Sequence, residues 1–246
     1  MAFSLSNSFD EIFSQLALRD SHGGPPRKIL FWGEGVGEIS SYAAGWMAGE
    51  GIDVIVLDGA NRFDPYMVST FAKRASISPE DLLKRIRIAR AFTCYQMTAL
   101  VEEKLISLLK KEEGAAPFPS PRVILLGPVT TFLDEDVSER EVRPLFERLL
   151  RKVEEMARGG VSFFFFQPSI PFKNSPFPKG GRRRPEPDYG AGRMGGLMNL
   201  KRAYLARRLF QISDRVWKIS LEEEGAKLVL EKELTKIADC RLRIAE

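Results

Sequence analysis

The sequence predicts an α/β protein in which a mostly parallel sheet is flanked by helices and ends in a C-terminal antiparallel hairpin. Three observations carry this expectation. From Lys28 onward, apolar runs of strand length alternate with segments of helical periodicity. The run Val161–Phe166 (VSFFFF) is continuously apolar where it matters, as a strand buried on both faces requires. Near the end, Arg215–Ser220 and Lys227–Glu233 flank the turn dipeptide Glu224-Gly225. With 246 residues, 44% of them apolar, the chain is long enough to enclose one substantial core.

Taken in order, Ser6–Asp20 reads as a short amphipathic helix. Phe9, Ile12, Phe13 and Leu16 recur at helical spacing, and Asp10 and Glu11 stand in the first turn. His22–Arg27 (HGGPPR) breaks the pattern as a linker, which sets residues 1–24 apart from a core domain at 25–246. Ile29–Trp32 is the first strand, Ser40–Gly49 a helix, and Asp53–Leu57 (DVIVL) the second strand. Helices are expected at Asp64–Arg74 and at Pro79–Ile86, the latter capped by Ser78, and a strand within Arg87–Phe92. A long helix follows at Tyr95–Lys111, a buried strand at Val123–Leu126, and helices at Arg140–Arg158 and Arg202–Phe210.

Composition narrows the function classes. No apolar run reaches the length of a membrane span, and the start MAFSLSNSFDEIF lacks a basic segment followed by an apolar one, so a cytoplasmic protein is expected. Cys94 and Cys240 are far apart and suggest neither a zinc site nor a disulfide framework. The single histidine, His22, sits in the linker, which argues against histidine-based catalysis. The net charge is +4, and its distribution is more informative than its size.

The most informative segment is Lys28–Ser40, KILFWGEGVGEIS, an apolar strand followed by Gly33, Gly35 and Gly37. A phosphate-binding P-loop has the pattern G-x-x-x-x-G-K-[ST], whose lysine meets the β/γ-phosphates and whose hydroxyl holds Mg²⁺. Starting that pattern at Gly33, its last three positions hold Glu38, Ile39 and Ser40. Acidic and apolar side chains there cannot neutralise phosphate. The same glycines also fit part of a dinucleotide fingerprint, with Asp58 about 20 residues on as a ribose-binding acid, although the third glycine is missing.

The segment Leu57–Met97, LDGANRFDPYMVSTFAKRASISPEDLLKRIRIARAFTCYQM, resembles the core of the RecA-type strand-exchange recombinases. The matching pieces are Asp58, Phe63 and Pro65, then Ser78-Pro79-Glu80 and Leu83, then Arg90-Ala91-Phe92 and Gln96. In the same order, RVILLGPVTTF falls where that family has its Walker B strand, and VSFFFFQPSIP where a strand ends in the glutamine that opens the second DNA-binding loop. ISDRVWKISLEEEGAKLVLEK resembles the family's closing hairpin. The resemblance spans residues 28–233 and implies a RecA-like P-loop-type core.

The departures from the family are informative. Besides the P-loop lysine, Ala60 stands where the family has the glutamate that activates water, and Gly127 where it has the Walker B aspartate. Positioning and metal electrostatics supply nearly all phosphoryl-transfer catalysis, so a degenerate member without ATP hydrolysis, catalytic residues or metal site is expected. Gly33, Gly35, Gly37, Glu38 and Ser40 are then a vestigial nucleotide site. No cofactor is required, and weak ATP or NAD binding stays open. Gln167 either couples such a site to the loop after it or satisfies backbone groups at a strand end.

That loop, Pro168–Gly196, carries Lys173, Lys179, Arg182, Arg183, Arg184 and Arg193, interleaved with Phe172, Phe177 and Tyr189. Cations release counterions from phosphates and aromatics stack on bases, a composition suited to single-stranded DNA. A solvated loop and a site for an acidic protein are the alternatives. The acidic run Asp134–Glu141 falls where the family has its first DNA loop, and its carboxylates suit the N-terminus of the following helix. The family's Phe-x-x-Ala docking motif is not evident after Phe13. The expectation is a non-hydrolysing RecA-like accessory in DNA repair or recombination, with DNA and a recombinase or other protein as partners and no membrane. Self-association stays open. The alternatives are a dinucleotide-binding enzyme and a scaffold that holds nucleotide without turnover.

Overall fold

A computed structural model describes residues 27–112, 121–169, 202–222 and 225–233. The expected N-terminal helix Ser6–Asp20, its linker up to residue 26 and the loop beyond Ser169 lie outside the described residues. The chain runs β1 (Lys28–Gly33), α1 (Val36–Gly49), β2 (Val54–Asp58), α2 (Pro65–Arg74), α3 (Pro79–Lys84) and β3 (Ile86–Arg90). It continues through α4 (Cys94–Ala99), a π-helical stretch (Leu100–Leu105), α5 (Ile106–Glu112), β4 (Arg122–Leu126), α6 (Glu139–Arg158) and β5 (Ser162–Pro168). It closes with α7 (Ala203–Ile212), β6 (Arg215–Glu222) and β7 (Gly225–Glu233).

The strands form one seven-stranded sheet in the order β3-β2-β4-β5-β1-β6-β7. The first six are parallel, and β7 returns antiparallel to β6. Parallel neighbours need crossovers, and the helices that supply them cover both faces. Alternation within each strand therefore feeds two cores. Ile29, Phe31, Phe164 and Phe166 pack with α1 and α2, whereas Leu30, Trp32, Phe163 and Phe165 pack with α6 and α7. This is why the VSFFFF run has no polar face. On α6, Val142, Phe146, Leu149, Leu150 and Val153 recur at the period that keeps one side of a helix inward.

Local signals explain the helix starts. Asp64 Oδ1 accepts the Tyr66 N–H at 2.9 Å, with Pro65 at the first helical position, and Ser78 Oγ takes the same role toward the Asp81 N–H. Three expectations need correcting in their bounds: the helix expected over Pro79–Ile86 ends at Lys84, and Ile86 opens β3. The first core helix begins at Val36 rather than Ser40, because Gly35 adopts a left-handed conformation (φ 65°) that turns the chain straight from β1 into α1. The helix expected over Tyr95–Lys111 widens into a π-helical stretch between α4 and α5. Among the described residues, no helix is long and apolar enough to cross a membrane.

Candidate functional site

Open α/β sheets bind ligands outside the carboxyl ends of their strands, where successive crossovers leave toward opposite faces. Here β1 leads to α1 on one face and its neighbour β5 leads toward α7 on the other. The glycine turn stands at that place. Gly33 has φ 133°, and a Cβ on it would come 2.1 Å from the Ile219 carbonyl oxygen of β6. The next residue is clamped to the same strand. The Glu34 N–H donates to Ile219 O at 3.3 Å, and its carboxylate accepts the Leu221 N–H at 3.1 Å.

The third glycine serves a different neighbour. A Cβ on Gly37 would lie 3.0 Å from Arg62 Cβ and 3.1 Å from Arg62 O, so the β2–α2 loop rests on the first turn of α1. Ser40 is buried and donates its hydroxyl to Gly37 O at 2.8 Å. Ser41 donates to the same carbonyl at 2.9 Å and accepts the Asp64 N–H at 2.9 Å, tying the two segments together. Ile39, at the lysine position of the pattern, is buried in the apolar core under β1, and Glu38 is exposed. Where a phosphate cradle wraps a ligand, this turn is short, helical from Val36, and occupied by backbone from β6 and by Arg62.

Asp58 organises the second loop. Its buried carboxylate accepts the N–H groups of Ala60 (3.1 Å), Arg62 (3.3 Å) and Phe63 (3.0 Å), with Arg90 Nε at 3.7 Å. Both oxygens are engaged by the loop that Asp58 itself begins. Ala60 and Gly127 meet at the ends of β2 and β4: Gly127 has φ 62°, and a Cβ on it would lie 2.6 Å from Ala60 Cβ. Among the described residues no cluster of His, Cys, Asp or Glu is placed to hold a metal ion.

Gln167 is buried at the end of β5. Its Oε1 accepts the Val129 N–H at 3.0 Å and its Nε2 donates to Pro168 O at 3.2 Å, joining β5 to the turn after β4. Gln96 makes a comparable closure beside β3. Its N–H donates to Thr93 Oγ1 at 3.2 Å, and its Oε1 accepts the Phe92 N–H at 2.8 Å. Cys94 is buried, and burial pushes its thiol pKa up, which favours the inert protonated form.

The residues expected to contact DNA, Lys173, Lys179, Arg182, Arg183, Arg184 and Arg193, lie outside the described residues. The structure does describe both anchors of their segment. At its start, Ser169 N–H donates to Gly33 O at 3.1 Å, directly beside the glycine turn. At its end stands Arg202, only 5% exposed, which sequence reasoning missed. Arg202 Nη1 donates to Phe132 O (2.8 Å) and to Asp134 O, Nη2 donates to Val137 O, and Nε faces Glu139 at 3.5 Å. One guanidinium thus gathers the backbone of the acidic run and fixes where the basic segment rejoins the fold. No local signal in the sequence marks this arginine as one that will be buried.

Arg202→Ala is expected to cost about 3–5 kcal/mol in a urea unfolding curve, because it leaves buried carbonyls and the Glu139 carboxylate without their cation. Arg202→Lys is expected to recover less than half of that loss, since an ammonium cannot fork toward three separated acceptors. A lysine variant as stable as the wild type would show that charge alone, and not the planar fork, holds this junction.

Comparison with known proteins adds no assignment: no family model matches the chain, and no curated protein matches it.

Proposed function

We propose that this chain is a non-hydrolysing RecA-like protein that binds single-stranded DNA through the basic segment after β5, acting as an accessory in DNA repair or recombination. The observation that carries this reading is the junction at β5. Ser169 is hydrogen-bonded to Gly33, so the segment with Lys173, Lys179, Arg182, Arg183, Arg184 and Arg193 leaves the sheet at the carboxyl ends, where α/β sheets carry their ligands. The resemblance over residues 57–97 supports the family, and the parallel sheet with its closing hairpin agrees with the fold that the resemblance implies.

The state of the glycine turn supports binding without turnover. Phosphoryl transfer needs a cation on the phosphates, a metal ligand and a positioned base. At those positions the chain has a buried Ile39, a Ser40 hydroxyl bonded to its own helix, and Ala60 packed against Gly127. The dinucleotide alternative asks Asp58 to hold a ribose. Its engagement by three amides of its own loop favours the first reading.

The test is fluorescence anisotropy of a labelled single-stranded oligonucleotide across a salt series, with and without ATP. Binding is expected to fall with salt and to ignore ATP. Each phosphate contact on a single strand contributes about 0.7 to the slope of log K against log salt, so replacing Arg182, Arg183 and Arg184 with Ala should reduce that slope by about 2. Failure to bind at low salt, or an unchanged slope in the triple variant, would overturn the reading.

A further inference from the structure

Strand β7, GAKLVLEKE, is the last strand of the sheet, and among the described residues nothing pairs with its outer edge. Free edges invite another strand, and proteins guard them with inward charges, proline, bulges or a lysine held out over the edge. This strand has no proline. Its bulge makes Glu231 the extra residue on the inner ladder, where Val216 faces Lys232 and Trp217 faces Leu230, and residues Ala226–Leu230 keep a regular register. Of its two lysines, Lys227 is exposed and Lys232 is folded inward, where its ammonium donates to Phe210 O (3.0 Å), Gln211 O (2.9 Å) and Ser213 O (2.6 Å). Val229 and Leu230 are 44% and 41% exposed at successive positions, so each face of the strand presents an aliphatic side chain to solvent.

The pattern of this edge fits a copy of itself. When two β7 strands are set antiparallel about Val229, the two Val229 residues face each other and Leu228 faces Leu230 of the other strand. Lys227 then faces Glu231, and Glu231 faces Lys227. Opposite charges and matched aliphatics directly across an antiparallel pair stabilise it, and like charges there oppose it. A two-fold interface makes each such pair twice, so a self-complementary strand is what an isologous contact requires. The groups are available for it. Glu231 uses Oε2 to accept the Trp32 indole N–H at 2.9 Å, and Oε1 is not used in that bond. Among the described residues Lys227 is paired with Glu222, at 3.1 Å and well exposed on both sides, a contact weak enough to exchange.

We infer that β7 is the interface with a second copy of this chain: two β7 strands pair antiparallel about a two-fold axis between their Val229 residues, and the sheet continues across the dimer. The occupant is a second copy because the charge order Lys227…Glu231 is satisfied twice over by an identical strand in this one register.

The experiment is light-scattering mass determination on the full chain, with circular dichroism to verify folding of each variant. The wild type is expected at twice its 27.7 kDa chain mass. Lys227→Glu places two carboxylates opposite each other, and Glu231→Lys two ammonium groups, so each variant alone is expected at the mass of one chain. Mixed in equal amounts, they restore both Lys–Glu pairs, and the mixture is expected to return to twice the chain mass. Val229→Glu, which leaves the Trp32 bond and Lys227 untouched, is expected to be folded and monomeric, and it carries the test if Glu231→Lys does not fold. A monomeric wild type, a folded Val229→Glu or single charge variant that stays dimeric, or two folded charge variants whose mixture stays monomeric would each overturn the inference.

Discussion

Gly33→Ala is expected to unfold the protein more readily than any other single methyl addition in the sheet, with a loss of more than about 4 kcal/mol. Two effects combine. The residue has φ 133°, where an L side chain is strained regardless of space, and its Cβ would stand 2.1 Å from the Ile219 carbonyl oxygen. That oxygen belongs to the backbone of a paired strand, so it cannot turn aside as a side chain can. Relief requires β6 to move away from β1, which breaks the parallel ladder from Ile29↔Arg215 to Gly33↔Ile219 and removes β7 with it. A domain of this size has roughly 5–15 kcal/mol of stability in total, so the variant should lose a large share of it.

Gly51→Ala is the matched control. Its φ is 80°, but no atom stands within 4 Å of the added Cβ, so only conformational strain of about 1–2 kcal/mol is expected. Urea unfolding midpoints of the two variants separate clash from strain. Equal midpoints would show that β6 can yield and that the glycine turn is not clamped against it.

Asp58→Ala is expected to cost about 3–5 kcal/mol, the range for removing one member of a buried charged arrangement. The carboxylate accepts three loop amides and faces Arg90, so alanine leaves several donors unsatisfied together. Asp58→Asn is expected to be intermediate, since one oxygen remains but the amide nitrogen would face N–H donors. The loop it holds carries Arg62 onto Gly37, so the damage should extend to the first turn of α1, read as faster amide exchange at residues 38–41. Asp64→Ala, six residues on, removes one exposed helix cap and should cost only about 1 kcal/mol. An Asp58→Ala variant no weaker than Asp64→Ala would mean that this loop does not depend on its carboxylate.

Strand β5 was legible because an apolar run of strand length with no alternation has one physical explanation, burial on both faces, and Phe163–Phe166 divide between the two cores as that requires. Ser78 was legible because capping is a contact within a few residues. The turn at Gly33, Gly35 and Gly37 was legible as a turn, but its occupant was not. A glycine declares that something comes close without saying whether it is a phosphate, a strand or a loop. Here Gly33 meets Ile219 and Gly37 meets Arg62, partners that only the completed sheet brings near.

Gln167 illustrates the same limit. A glutamine at a strand end is equally suited to couple a site or to cap a backbone group, and only the position of Val129 reveals the bond it makes. Arg202 carries no local mark, because nothing in the neighbouring sequence shows that its guanidinium will be buried under three carbonyls.

By itself, then, the sequence determined the order and kind of the elements and the parallel sheet with its antiparallel close. These follow from periodicity, capping and residue identity, which act over a few positions along the chain. Only the tertiary structure decided what the glycine turn is pressed against, which groups Asp58, Gln167 and Arg202 satisfy, and which strand stands last in the described sheet. Hydrogen bonding and close packing join residues such as Gly33 and Ile219 whose separation in the chain carries no local trace.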